Sequence, residues 1–225
     1  MEHGTTVAIM QPYFIPYAGY FRLFAASDLF VIYDCVQFPR RGWVHRNRLV
    51  TRAGSERWLT LPIERTAQQT LIRDLRFAPD AALTLAERLR EFALTPRDPA
   101  AVAPLIDALR SVDGHPVDYL ERLLHAIVGY LGLRWNVIRS TTLGVPPSLR
   151  GQDRIIEITR RVGGTHYVNA SGGRGLYTAE AFTAAGVELT FLSDYAGPRS
   201  SILTRVLGED RDAVVAEILG GLPER

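Results

Sequence analysis

Cys35 and His45 stand ten residues apart in the segment YDCVQFPRRGWVHRNRL. A thiol deprotonated beside an imidazole is a good nucleophile. The segment reads as strand, loop, strand, so the two side chains can meet across the loop. Asp34 precedes Cys35 and, in a strand, points to the opposite face. It is a candidate for substrate contact more than for a third member of a triad. The competing reading of Cys35 is a small buried hydrophobe, and that of His45 a packed or surface histidine.

Around this pair lies a dense basic run, Arg40, Arg41, Arg46, Arg48 and Arg52, with Trp43 inside it. Arginine forks bind phosphate or carboxylate bidentately. Arg41 and Arg46 are therefore candidate anion contacts, and Asn47 a candidate for orienting a polar group. A solvated face is the plain alternative. Further on, THYVNASGGRG reads as a strand that ends in a glycine-rich loop before a helix. There the backbone N–H groups of Ser171, Gly172 and Gly173 can cradle an anion. Asn169 ends that strand as a further binding candidate. His166, within it, is a second candidate base or a satisfied interior histidine. Near the start, QPYFIPYAGYF follows the apolar run Val7–Met10. Gln11, whose amide both donates and accepts, joins Tyr13, Tyr17 and Tyr20 as candidate ligand contacts. The alternative is that the prolines shape a strand exit and the rings fill the core. Gly19 suits close backbone approach or tight helix packing.

Composition narrows the chemistry. The chain has 225 residues, 47% hydrophobic and 22% charged, an ordinary balance for one globular unit. All 26 basic residues are arginines, which excludes a Schiff-base lysine, a pyridoxal-phosphate anchor and a Walker-type lysine. A net charge of +2 and one short basic run make nucleic acid an unpromising partner. The single cysteine permits no intrachain disulfide. The five histidines (His3, His45, His115, His125 and His166) show no metal-ligand spacing, so no metal is expected. His115 and His125 look structural or exposed, and His3 terminal. No long apolar run or leader-like start is present, which reads as a cytoplasmic protein without a membrane span.

The elements that must position these residues follow from periodicity. Residues 7–10 and 29–36 read as strands flanking a short helix at 18–26. Residues 43–50 and 57–63 flank the turn signal TRAGSE as a hairpin, and 70–77 adds another strand. From Pro79 the pattern is helical, with three helices to about residue 132, two of them starting at proline. A strand at 135–141, a helix over GQDRIIEITRRVG, the strand THYVN, a helix over TAEAFTAAG, the strand VELTFLS and a helical tail at 200–219 complete the chain. The expectation is one α/β domain over 1–225, Rossmann-like, with a mostly parallel sheet and a helical insertion at about 79–132.

The blocks MQPYFIPYAGYFRLFAASDLFVIYD, RRGW with RNR, and THYVNASGG resemble the WbqC-like family, over residues 9 to about 62 and again 151–195. The resemblance implies a bacterial protein of surface-polysaccharide or specialised-metabolite assembly, without implying a particular reaction. It also implies an acidic or amide residue where Cys35 stands and an asparagine where His45 stands, so this chain departs at both. A weaker resemblance links the start to the nucleotidyltransferase superfamily that carries a His-x-Gly-His motif. There Tyr17 and Tyr20 take the places of histidines that contact nucleotide phosphates. Tyrosine donates a hydrogen bond but stays neutral near pH 7. A nucleotide-shaped pocket without the usual phosphoryl-transfer electrostatics is what that implies.

Three functions fit these residues. The first is acyl or aminoacyl transfer from a thioester to a small molecule, with Cys35 as nucleophile, His45 or His166 as base, and a carrier protein as a possible source of the donor. The second is a nucleotide-dependent reaction without a covalent intermediate. The third is a non-catalytic, ligand-binding partner of a biosynthetic enzyme. A Cys35–His45 contact in a pocket favours the first. Aromatic residues of 13–20 lining a pocket opposite Ser171–Gly173 favour the second. A filled pocket or a wide apolar surface favours the third. All three blocks follow strands, so they are expected to converge at the carboxyl ends of the central strands.

Overall fold

The computed structural model describes residues 4–222, which leaves His3 outside the described residues. Five strands form an all-parallel sheet: β1 (Thr5–Met10), β2 (Leu29–Ile32), β5 (Val137–Arg139), β6 (Gly164–Asn169) and β7 (Glu188–Phe191). Their spatial order is β5-β2-β1-β6-β7. Counted along the sheet-forming strands alone, this is 3-2-1-4-5, the doubly wound Rossmann order. The antiparallel hairpin of β3 (Arg46–Val50) and β4 (Glu56–Thr60) stands apart from it.

The sheet is covered on both faces, as parallel sheets require. Alternate residues of each strand serve different layers. Val7, Ile9, Val31 and Tyr167 pack with Ile155 and Ile158 of α5 (Gly151–Arg161) and Phe182 of α6 (Ala179–Ala184). Ala8, Phe30, Ile32 and Val168 face the opposite layer, built from α1 (Ala18–Ala26), α4 (Pro116–Leu131), α7 (Ile202–Gly208) and α8 (Arg211–Leu219). That second core continues without a break into α2 (Ala81–Leu89), α3 (Pro99–Arg110) and the hairpin. Among the described residues, no helix is long and apolar enough to cross a membrane.

The segment between β2 and β5 thus carries the hairpin as well as helices α2–α4. α3 and α4 begin as their prolines suggest: Pro99 and Pro116 occupy the first turns. The Asp98 carboxylate accepts from the Ala101 N–H at 3.1 Å, and His115 Nδ1 from the Val117 N–H at 3.1 Å. His115 is therefore a helix cap. Two expectations differ from the fold. Residues 70–77 form a 3₁₀ turn at Ile72–Asp74 instead of a strand. Ile72 and Leu75 are both buried, and their spacing of three puts them on one side of a 3₁₀ turn, whereas a strand would send them to opposite faces. β2 stops at Ile32, because the Asp34 N–H turns back onto the Ile32 carbonyl at 3.1 Å.

Candidate functional site

A cavity of about 520 Å³ opens at the carboxyl ends of β1, β6 and β7. The chain leaves β1 toward β2 on one side and leaves β6 toward β7 on the other. The cavity therefore sits at the topological switch point, where doubly wound sheets leave a crevice. One wall is the exit of β1, with Gln11, Tyr13, Tyr17 and Tyr20; the facing wall is Asn169 and the turn Ser171–Gly173.

The exit of β1 divides its rings between two tasks. Phe14, Ile15, Pro16 and Ala18 are buried in the core, whereas Gln11, Tyr13 and Tyr17 are half-buried along the cavity. Tyr20 is buried, and its hydroxyl donates to the Gln11 carbonyl at 2.8 Å, so it braces the wall. Burial raises the Tyr20 hydroxyl well above its ordinary range and, with Tyr17 nearby, raises that of Tyr13. Both remain neutral at pH 7. Ile15 has φ +40°, the left-handed region that a β-branched residue avoids. Asn47 of β3 holds it there: its amide donates to the Phe14 and Ile15 carbonyls at 3.1 and 2.7 Å. The Ser201 hydroxyl also donates to the Ile15 carbonyl, at 2.7 Å. Gly19 admits the Tyr17 and Tyr195 rings against α1; a Cβ there would lie 2.7 Å from Tyr195 Cγ. Gly173 similarly lets its turn lie against the Asn169 amide.

The lining carries three charged side chains: Arg22 of α1, buried, and Asp194 and Arg199 in the loop after β7, both exposed. Arg22 is 3% exposed and lines the cavity. It donates to the Ser193 carbonyl at 2.7 Å, the Ser193 hydroxyl at 2.9 Å and the Gly220 carbonyl at 3.3 Å. All three acceptors are neutral, and its Nε is buried without a partner. Behind the wall, buried Arg154 of α5 has the same character. It donates to the Cys35 and Pro147 carbonyls at 3.2 Å each, and its Nε is also unpartnered. Neither arginine has a carboxylate within ion-pairing distance among the described residues. Arg199, exposed on the cavity rim, makes no hydrogen bond or ion pair among the described residues; its guanidinium lies 5.8 Å from the Tyr17 ring centre. The N-terminus of α1 adds to this field: it has no side-chain cap and no acidic residue in its first turn.

Cys35 and His45 are not brought together. No hydrogen bond joins them among the described residues, and Cys35 does not line the cavity. His45 lines a separate hollow with Phe38, Arg40 and Arg88, its ring edge-on to Phe38 at 4.9 Å. Burial, reinforced by Arg46, pulls its pKa down to about 4, so it is a neutral imidazole at pH 7. His166 lies toward the start of β6, three residues before Asn169, about 10 Å from the strand's carboxyl end. There its Nε2 faces Glu188 at 3.1 Å and its Nδ1 meets the Thr165 hydroxyl at 2.8 Å. Asp34 is buried, with its carboxylate taken up by the Ser140 hydroxyl, the Thr141 N–H and the Thr141 hydroxyl at 2.8, 3.0 and 2.8 Å. It anchors β2 to the turn after β5. Arg41 is exposed, and its carbonyl accepts from Arg46 at 2.7 Å. The Arg46 guanidinium lies over the Trp58 ring at 4.3 Å. The middle block therefore reaches the region only through Trp43 and Asn47, which line a small notch beside the cavity.

Arg22, Tyr33, Tyr195 and Arg199 were not among the sequence candidates, yet they line the cavity. Arg22 carried a signal: it is the lone charge in the apolar helix AGYFRLFAA. Arg199 and Tyr195, in the loop after β7, carried none.

Residues 11–199 match the profile of the WbqC-like protein family. A relative in Mycobacterium tuberculosis, the uncharacterized protein Rv1507c, is 28% identical over 211 residues, covering 86% of this chain and 84% of that protein. No solved structure matches the chain significantly. The matched span holds both walls of the cavity, from Gln11 to Arg199, and the chain belongs to the WbqC-like protein family.

Proposed function

We propose that the chain is a biosynthetic transferase that binds a phosphate-bearing small molecule, of the nucleotide type, in the switch-point cavity and transfers a group from it without a covalent enzyme intermediate. The observation that carries this reading is Arg22, a buried cation with only neutral partners, on the wall of an open cavity. An uncompensated buried charge is costly, and an anionic ligand relieves that cost. The Ser171 and Gly172 N–H groups are backbone donors on the facing wall, the Gly173 N–H being taken by the Ala170 carbonyl at 3.0 Å, and the α1 terminus adds its dipole. Gln11 and the hydroxyls of Tyr13 and Tyr17 orient the remainder of the ligand by hydrogen bonding. The route through Cys35 is not favoured, because His45 lines another hollow and burial leaves it too weakly basic to take the thiol proton readily.

Thermal shift with ADP, UDP-glucose and acetyl-CoA tests this. A ligand at about 100 times its Kd adds about 2.7 kcal/mol, a rise of several degrees. Arg22→Met is expected to leave the unliganded melting temperature nearly unchanged, since lost hydrogen bonds are offset by removal of the buried charge. It is expected to abolish the ligand-induced rise. No shift with any of the three at millimolar concentration, or an equal shift in Arg22→Met, overturns the proposal.

A further inference from the structure

Beside the main cavity lies a notch of about 120 Å³ lined by Tyr13, Pro16, Tyr17, Trp43, Asn47 and Arg199. Tyr13, Tyr17 and Arg199 line both spaces, so the two adjoin across these three side chains. The notch is the size of a single six-membered ring; an apolar cavity of roughly 150 Å³ accommodates benzene. Its walls are two tyrosines, a proline and Trp43, which stays 41% exposed although its ring packs 5.4 Å from that of Trp58. Trp58 carries the Arg46 and Arg48 guanidinium groups at 4.3 and 5.0 Å from its ring centre. The Asn47 amide is fully engaged by the Phe14 and Ile15 carbonyls, so it offers the notch no donor. The charged donor left in the lining is Arg199, which lacks any hydrogen bond or ion pair among the described residues.

We propose that this notch binds the ring of a second, acidic substrate: a single six-membered ring stacked against Trp43, with its carboxylate held by Arg199. The inference rests on the anion-binding reading of the adjoining cavity, because the ring would then lie next to the phosphate-bearing ligand. Carboxylate and ring faces match what the walls present: a guanidinium fork for the acid and aromatic faces for the ring. A planar aromatic acid and a pyranose acid share this chemistry, and the two probes below separate them.

The test is titration of the full chain with benzoate and with glucuronate, read by isothermal titration calorimetry, alongside an ADP titration. Saturable, millimolar binding of at least one acid is expected. Trp43→Ala should weaken it by about tenfold or more, and Arg199→Gln by about tenfold. Leu83→Ala, an exposed side chain outside both spaces, should leave affinity within about twofold. The Trp43 backbone carbonyl, which accepts from the Phe14 N–H at 2.9 Å, survives the substitution, so the loop stays in place. ADP affinity should be unchanged in Trp43→Ala. Benzoate binding without glucuronate identifies a planar ring, and the reverse identifies a pyranose. Failure of both acids, or undiminished binding in Trp43→Ala, overturns the notch proposal even if ADP binds. Loss of ADP binding alone, with ring-acid binding intact, overturns the nucleotide reading instead.

Discussion

His45 illustrates how environment overrides residue type. Its Nδ1 is buried without a partner and Arg46 stands beside it, so the folded protein resists protonating it until about pH 4, against 6.5 for an ordinary histidine. The unfolded chain takes up a proton near pH 6.5 that the folded chain refuses. Above pH 6.5 both states are neutral and the contribution to stability is complete; it is lost as pH falls from about 6.5 toward 4. His45 is only partly buried, and solvent screening reduces the effect to roughly 1–2 kcal/mol. Urea denaturation at pH 7 and pH 4.5 should therefore show a smaller acid-induced loss for His45→Gln than for the parent chain. The same neutrality separates His45 from Cys35. Iodoacetamide labelling of Cys35 at pH 6.5 should proceed at the same rate, within about twofold, in His45→Asn. A marked slowing would restore the thiol–imidazole pair.

Among the elements, the β1 exit and the β3–β4 hairpin depend on each other. Asn47 ties the hairpin to Ile15, and the Ile15 conformation sets how Tyr13 and Tyr17 flank it along the cavity. Asn47→Ala leaves the Phe14 carbonyl without its donor and the Ile15 carbonyl with Ser201 alone, and is expected to destabilise the fold by about 1–3 kcal/mol, measured by denaturation. Ligand-induced thermal stabilisation should fall with it. Helix α1 offers a sharper contrast. Helix propensity alone predicts that Gly19→Ala gains about 1 kcal/mol. The Tyr17 and Tyr195 rings occupy the space of the new methyl, so a net loss of stability and of ligand binding is expected; a gain would show that both rings move aside freely. Apolar runs made the strands and helices legible in the sequence, and Pro99 and Pro116 marked two helix starts. The Asn47 clamp was not legible, because its partners lie 32 and 33 residues away and are backbone carbonyls, which carry no side-chain signature.

For the whole molecule, the 3-2-1-4-5 order explains why two sequence-distant blocks, the β1 exit and the β6 turn, face each other: both strands end at the switch point. That convergence followed from strand signals alone. The contribution of the C-terminal part did not, since it arises from long-range packing. Arg205 of α7, 5% exposed, is held by Glu209 at 2.5 Å and by Glu217 of α8 at 2.7 Å, and Tyr195 donates to the same Glu217 carboxylate. Tyr195 then packs on Tyr17 with ring centres 5.6 Å apart, over Gly19. A charge cluster between α7 and α8 thereby sets a wall of the cavity. Hydrogen bonds from Arg205 hold the Glu217 carboxyl below the ordinary carboxylate range. Its contribution to stability is present above the unfolded value of about 4.5 and lost as pH falls through the lower folded value. Glu217→Gln should cost about 1–2 kcal/mol at pH 7, because Glu209 still neutralises Arg205. The variant should also lose part of the parent's acid sensitivity below pH 4.5. Tyr195 loses its charged acceptor in that variant, so ligand affinity at the cavity should drop by several-fold although Glu217 does not line it. Isothermal titration of parent and variant at pH 7 checks this, and equal affinity with reduced stability would confine the cluster to holding α7 and α8 together.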